Sequence, residues 1–161
     1  MANLRIFVTS DTHFGHRRIL EFEKENRPYK TIEEHDRDLI ARWNSVVNPN
    51  DTVWHLGDVF FGKEGHLVLG ELNGYKKLIL GNHDHFPLEV YQKYFSKIYG
   101  CFVLGKVLLS HVPVHPGQLE FRFRRNLHGH MHSKKIDDDR YVNCSMEHWN
   151  LTPVLLAKVM Q

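Results

Sequence analysis

Leu4-Arg5-Ile6-Phe7-Val8-Thr9-Ser10-Asp11-Thr12-His13 is the stretch on which the fold turns: an apolar run with the length of a strand, ending at once in a carboxylate and an imidazole. The same phrase recurs along the chain. Val53 to Leu56 ends in Gly57-Asp58, Leu78 to Leu80 in Gly81-Asn82-His83-Asp84, Val107 to Leu109 in Ser110-His111, and Leu127 leads into His128-Gly129-His130-Met131-His132. In open α/β sheets, ligands sit beyond the carboxyl ends of the strands, where loops converge on a rigid frame. Five strand-like runs that each end in metal-capable side chains therefore predict one site.

Between these runs, Thr31-Ile32-Glu33-Glu34 reads as a capping box. Leu39, Ile40, Trp43 and Val46 or Val47 follow at helical spacing, up to the stop Asn48-Pro49-Asn50-Asp51. Shorter helices are expected over residues 17–22, 63–72 and 87–94, with Arg27-Pro28-Tyr29 as a break. Residues 98–104 and 107–110 flank Gly105-Lys106 as a hairpin, and strands are expected over 121–124, 141–144 and 154–159. Strand-helix-strand units early and hairpins late favour an α/β class in which helices pack outside two stacked sheets.

The 161 residues suit one domain spanning 1–161. A hydrophobic fraction of 42% with 25% charged residues is that of an ordinary globular chain, and the net charge of +2 is too small to predict a polyanionic partner. Cys101 and Cys144 lie outside any metal-type spacing and read as free thiols. The N-terminus lacks the apolar core and cleavage site of a leader peptide, and no segment has the apolar length of a membrane span. The expectation is a cytoplasmic protein without a membrane partner; oligomeric state is not fixed by the sequence. The compositional outlier is histidine, with 13 residues.

Each cluster alone has an ordinary reading. Asp11-Thr12-His13 could be a turn, Gly57-Asp58 a turn signal, Gly81 to Asp84 a helix cap, His130 and His132 a strand edge, and His111 a packed core residue. Five such accidents in one chain are improbable. Asp and His suit borderline divalent ions, Asn adds a neutral oxygen, and Gly57, Gly81 and Gly129 let backbone approach an ion or a phosphate closely.

Read together, Asp11-x-His13, Gly57-Asp58, Gly81-Asn82-His83-Asp84, His111 and Gly129-His130-x-His132 resemble the calcineurin-like metallophosphoesterases. The resemblance implies a four-layer sandwich of two mixed sheets flanked by helices. It implies one ion on Asp11, His13 and His132, and a second on Asn82, His111 and His130, with Asp58 bridging. Two such ions, about 3.5–4 Å apart, would share a hydroxide poised for in-line attack on phosphorus. His83 is implied as the group that protonates the leaving oxygen, a role suited to an imidazole. Manganese is expected first, with Fe, Zn, Ni, Co and Mg as alternatives.

The sequence departs from the family where many members continue Gly-Asp as Gly-Asp-x-x-Asp-Arg-Gly; here Gly57-Asp58-Val59-Phe60-Phe61-Gly62-Lys63 lacks the Asp that orients the catalytic histidine and the Arg that grips phosphate. This disfavours a protein phosphatase and favours a small phosphodiester substrate, such as a cyclic nucleotide. Asn82, His16, Arg17 and Arg18 are candidate substrate contacts, and Asp84 or a backbone carbonyl is the candidate partner of His83. Phe121-Arg122-Phe123-Arg124-Arg125 keeps a nuclease on DNA or RNA ends as the second reading, and a non-catalytic scaffold as the third.

Overall fold

The computed structural model describes residues 4–161; residues 1–3, the first part of the stretch read for a leader peptide, lie outside it. Nine strands are described: β1 (Ile6–Thr9), β2 (Thr52–His55), β3 (Tyr75–Ile79), β4 (Phe95–Tyr99), β5 (Phe102–Leu104), β6 (Val107–Leu109), β7 (Arg125–His128), β8 (Tyr141–Asn143) and β9 (Val154–Leu155). The helices are α1 (Ile19–Phe22), α2 (Ile32–Val46), α3 (Leu88–Gln92) and α4 (Leu156–Val159). The first sheet runs β4-β3-β2-β1-β9 and the second β5-β6-β7-β8. Both are mixed, parallel except for β9 against β1 and β5 against β6.

Alternation along the strands sorts the core into layers. Phe7, Val53 and Leu78 face α2, packing with Leu39, Trp43 and Val47. Their neighbours Val8, Trp54 and Ile79 face the other way, onto Val107, Leu109 and Leu127 of the second sheet. Because both faces of the first sheet are covered, apolar residues fall in succession in its central strands, as Phe7-Val8, Val53-Trp54 and Leu78-Ile79, rather than alternating with polar ones. Beyond the second sheet, Leu108 and Tyr141 are covered by Leu119, Phe123, Val114 and Ile136. The outermost layer there is thus a 3₁₀ turn, Pro116–Leu119, with its flanking loops, and not a long helix.

Helix α2 starts as its sequence dictates, with Thr31 Oγ1 accepting from the Glu34 N–H at 3.2 Å. The reciprocal half of the box is displaced by one residue: Glu34 Oε2 accepts from the N–H of Lys30 instead of Thr31. Leu39 and Trp43 are fully buried, and the Trp43 indole donates to the Asn73 carbonyl at 3.0 Å.

Four expectations are corrected. Residues 63–72 form only the 3₁₀ turn Leu67–Gly70, because Gly65 and Gly70 weaken a helix and Gly65 is pressed against the Phe61 carbonyl. Residues 98–104 are split at Gly100-Cys101, with β4 ending the first sheet and β5 opening the second; the hairpin at Gly105-Lys106 forms as read. Residues 121–124 are loop. Phe123 is its single buried anchor, while Phe121 is 92% exposed, so the Phe/Arg alternation does not mark a half-buried strand. Residues 154–159 are strand only through Leu155; α4 then turns Leu156 and Val159 onto the inter-sheet core. Cys101 and Cys144 are free thiols, exposed and buried respectively. Among the described residues, no helix is long and apolar enough to cross a membrane.

Candidate metal centre

All the clusters lie at one pole, because β1, β2 and β3 run parallel and β6 and β7 run parallel, so their carboxyl ends point the same way. The loops then extend the pairing side by side: Asp11 N–H donates to Gly57 O, His13 N–H to Asp58 O, and Gly129 N–H to His111 O, at 3.0, 3.2 and 2.9 Å. Gly57 and Gly81 are stacked so closely that a Cβ on Gly57 would lie 2.6 Å from Gly81 Cα and 2.7 Å from His111 Nδ1. A Cβ on Gly129 would strike the Ser10 hydroxyl and the Asp11 carboxylate.

Asp11, His13, Asp58, His130 and His132 all have positive φ, from 47° to 67°. Asp and His tolerate this region better than most residues, but it is sparsely populated, and such conformations gather at functional sites. It turns their side chains inward from loops that would otherwise continue past the sheet.

Asp11, His13, Asp58 and His111 form a buried floor, and Asn82, His83 and His130 an exposed rim. Among the described residues three triads have donor atoms within 4.8 Å of one another: Asp11, His13 and His132, and Asp11, Asp58 and His111, within the cluster, and Glu23, His132 and Glu147 behind it. His13 Nε2 lies 3.7 Å from both Asp11 Oδ1 and Asp58 Oδ2, and His132 Nε2 lies 3.8 Å from Asp11 Oδ1. These gaps are too wide for hydrogen bonds and suit groups facing a common ion at about 2.0–2.2 Å. Asn82 Oδ1 lies 2.8 Å from both His111 Nε2 and His130 Nδ1.

Whether this donor set fits divalent metal can be tested on its unpartnered atoms. Asp11 Oδ1 and His13 Nε2 are buried and have no hydrogen-bond partner, whereas Asp11 Oδ2 accepts from the His130 N–H and the Ser145 hydroxyl, each at 2.9 Å. One carboxylate oxygen is tied down and the other left bare, as a metal ligand requires. The tautomers agree. His111 Nδ1–H donates to the Leu56 carbonyl at 2.7 Å, leaving its Nε2 lone pair to the cluster.

A lone pair on His13 Nε2 puts the proton on Nδ1, which donates to His16 Nδ1 at 3.0 Å. Burial, with His13 beside it, pushes His16 down to about 4, so it is a neutral acceptor at neutral pH. Burial likewise holds His13 below its ordinary value. Burial would raise Asp11 and Asp58, but their imidazole neighbours, chiefly His13 and His111 respectively, outweigh it and keep both ionised. Burial would lower His111 and His132, but Asp58 and Glu147 respectively outweigh it and raise both. With every ring bound as a neutral ligand, two carboxylates, the imidazoles and an amide would make a donor set of charge −2, which suits a pair of dications. The residues fit.

Not every candidate belongs to this cluster. His16 reaches it, stacked on Phe61 with ring centroids 3.9 Å apart. Arg17 instead pairs with Glu33 at 3.6 Å on the surface, and Arg18 lies over the Phe22 ring. Asp84 does not orient the His83 ring. Its carboxylate accepts from the N–H groups of Asp58, Val59 and Gly81 at 2.8–3.0 Å, locking the second loop to the third. His83 is held through its own N–H, which donates to Asp58 Oδ1 at 2.9 Å, and by its ring packing against Phe61. Arg124 and Arg125 enter β7 beside Lys106 and Val107, at the end of the sheet opposite the cluster, so they are not a rim of the site.

Two residues the sequence did not single out stand directly behind the cluster. Glu147 lies 3.1 Å from His132 Nδ1, and Arg27, completely buried, pairs with Glu147 at 2.8 Å. Glu147 had a signal, since Ser145-Met146-Glu147-His148 follows the apolar run 141–144 as the other clusters follow theirs. Arg27, in a turn-like Arg-Pro-Tyr, had none.

Residues 4–151 match the calcineurin-like phosphoesterase family. An uncharacterized protein of Methanocaldococcus jannaschii is 33% identical over 172 residues, covering 100% of this chain and 92% of its own length. The Gene 66 protein of Mycobacterium phage L5 is 34% identical over 165 residues, with 81% of this chain and 78% of its own covered. A solved structure of a protein of unknown function from Aquifex aeolicus superposes with a TM-score of 0.79 at 26% identity, covering 98% of both chains. Paired mixed sheets, acid and imidazole groups converging at their common pole, and a match along nearly the whole sequence have one reading: the chain belongs to the calcineurin-like phosphoesterases.

Proposed function

We propose that this chain hydrolyses small phosphodiesters, with Asp11, His13 and His132 at one metal position, Asn82, His111 and His130 at a second, Asp58 shared between them, and His83 as proton donor. The observation that carries the reading is the pair of buried, unpartnered donor atoms, Asp11 Oδ1 and His13 Nε2, within a group of converging carboxylates and imidazoles. Two divalent ions bound there supply Lewis acidity towards the phosphoryl oxygens and lower the pKa of a bound water toward neutrality. Manganese is our first choice.

The chain's own groups perform the rest. Asp11 and Asp58 hold fixed negative charge at the floor, and the locked His111 and His132 rings keep their Nε2 lone pairs turned inward, so little reorganises as charge develops on phosphate. His83, on the exposed rim with its backbone pinned to Asp58, can pass a proton to the departing alkoxide. A diester has one negative charge where a monoester carries up to two. The rim offers imidazoles, with the nearby Arg17 and Arg18 engaged elsewhere, which suits the less charged substrate. The free thiols support a reducing, cytoplasmic setting.

The test is hydrolysis of a bis-aryl and a mono-aryl phosphate side by side with manganese. Diester cleavage that is lost in Asp58→Asn is the expected result; cleavage of the monoester alone overturns the substrate assignment.

A further inference from the structure

The most unusual group outside the cluster is Arg27, a guanidinium with no solvent exposure. A buried arginine is costly unless its donors are met in good geometry, and here they are. Its Nη2 donates to the Asp11 carbonyl at 2.5 Å and its Nη1 to the Thr12 carbonyl at 3.0 Å, clasping the left-handed loop between β1 and His13. Its Nε donates to Glu147 Oε1 at 2.9 Å. Nη1 also lies 2.9 Å from His35 Nε2, and His35 Nδ1 lies 2.7 Å from Asp36, whose other oxygen accepts from the Gly15 N–H at 2.9 Å.

Proton positions in this chain of contacts are forced. Arginine only donates and an ionised carboxylate only accepts. His35 Nε2 must therefore accept from Arg27, which puts its proton on Nδ1, facing Asp36. Glu147 Oε1 accepts from Arg27, so His132 must present Nδ1–H to it. His132 Nε2 then faces Asp11 Oδ1 at 3.8 Å and, in the neutral ring, carries the lone pair. One buried cation, paired with a glutamate 120 positions away, thereby fixes the backbone that carries Asp11 and the Nδ1–H of His132.

We propose that Arg27 and Glu147 are positioning residues for the metal position formed by Asp11, His13 and His132: Glu147 orients and strengthens His132 as a ligand, and Arg27 holds Glu147 and the Asp11-Thr12 backbone in register. The inference rests on the metal-centre reading above. It assigns a use to a buried ion pair that a fold of this size would otherwise replace by apolar packing without loss.

Two measurements on the full chain test it. The first is the tautomer of His132 in metal-free, ¹⁵N-histidine-labelled protein, where Nδ1–H is expected in the wild type and a mixed population in Glu147→Leu. An Nε2–H tautomer in the wild type overturns the proposal, whatever any variant does. The second is Mn²⁺ titration by calorimetry. The wild type is expected to take up two equivalents. Glu147→Leu should weaken one of them by about 10–100-fold and leave the other within about threefold, with Glu147→Gln, which retains an acceptor, between the two. Arg27→Lys keeps the charge but cannot reach the carboxylate and both carbonyls together, and should give the same selective loss. Unchanged affinities, or equal weakening of both equivalents, overturn the proposal. A wild type that binds no Mn²⁺ instead overturns the metal-centre reading, and the tautomer then still decides the placement of Glu147.

Discussion

Gly57→Ala should separate the metal loops without substituting a single candidate ligand. Gly57 sits at φ +101°, and an added methyl would lie 2.6 Å from both Cα and N of Gly81 and 2.7 Å from His111 Nδ1. The obstacles are backbone and a locked ring, so they cannot rotate away. Forcing an L-residue into positive φ costs about 1–2 kcal/mol, and overpacking a tight contact about 1–3 kcal/mol, so the loss is about 2–5 kcal/mol. For 161 residues the unfolding entropy is about 0.34 kcal/mol/K near 60 °C, which converts that loss to a fall of about 6–15 °C in Tm. Gly105→Ala is the control. It has φ +62° but nothing within 4 Å, so it bears the backbone cost alone, about 3–6 °C. Scanning calorimetry of both variants in chelator keeps ion binding out of the comparison, and Mn²⁺ titration then asks whether the loops still converge. If Gly57→Ala melts no lower than Gly105→Ala, or binds Mn²⁺ as the wild type does, the close packing of the second and third loops is not what holds the site.

Other outcomes follow from the same coordinates. His83→Gln should cut diester turnover by about 10²–10⁴-fold for an alkyl leaving group and much less for an aryl one, with Mn²⁺ affinity unchanged, read from steady-state rates and calorimetry. Thr31→Ala removes the cap of α2 and should cost about 1 kcal/mol, a fall of about 3 °C in Tm. Asp51→Asn should cost about 1–3 kcal/mol at pH 7 by weakening charged bonds to Arg5 and the Asn48 N–H. Burial would raise Asp51, but those donors outweigh it and hold its pKa below the ordinary value. Its stabilisation is therefore complete above the unfolded pKa of about 3.9 and lost as pH falls through the folded one. Melting curves of wild type and variant should converge in acid; parallel curves from pH 7 to pH 2 would refute the assignment.

The sequence carried the site more fully than the layers around it. Asp11, His13, Asp58, Asn82, His111, His130 and His132 were legible because each follows an apolar run, and parallel strands bring such ends together whatever their exact bounds. Helix α2 was legible because its cap and its apolar spacing agree. The expected helix over 63–72 failed because the buried Leu69 and Leu72 mimic a helical stripe, while Gly65 before them and Gly70 between them permit only one turn. Phe121 to Arg124 imitated a strand because Phe123 alone is anchored. Arg27 and Asp84 were opaque for a different reason. Their partners, backbone groups and for Arg27 also the Glu147 and His35 side chains, are brought near only by the finished fold, and no local pattern encodes a guanidinium closing on the carbonyls of Asp11 and Thr12.

The crossing at Gly100-Cys101 divides more than two sheets. Asp11, His13, Asp58 and Asn82 precede it, and His111, His130 and His132 follow it, so each of the two proposed ion positions draws on both halves of the chain. Bound ions would act as rivets between two slabs, each with its own ladder, that otherwise meet through apolar side chains and a few polar contacts at this pole, such as His111 to the Leu56 carbonyl and the His130 N–H to Asp11. Their removal should leave each slab's own ladder intact and loosen the seam, so that amide exchange in chelator rises first along the inter-sheet face, around Val8, Leu109 and Leu127.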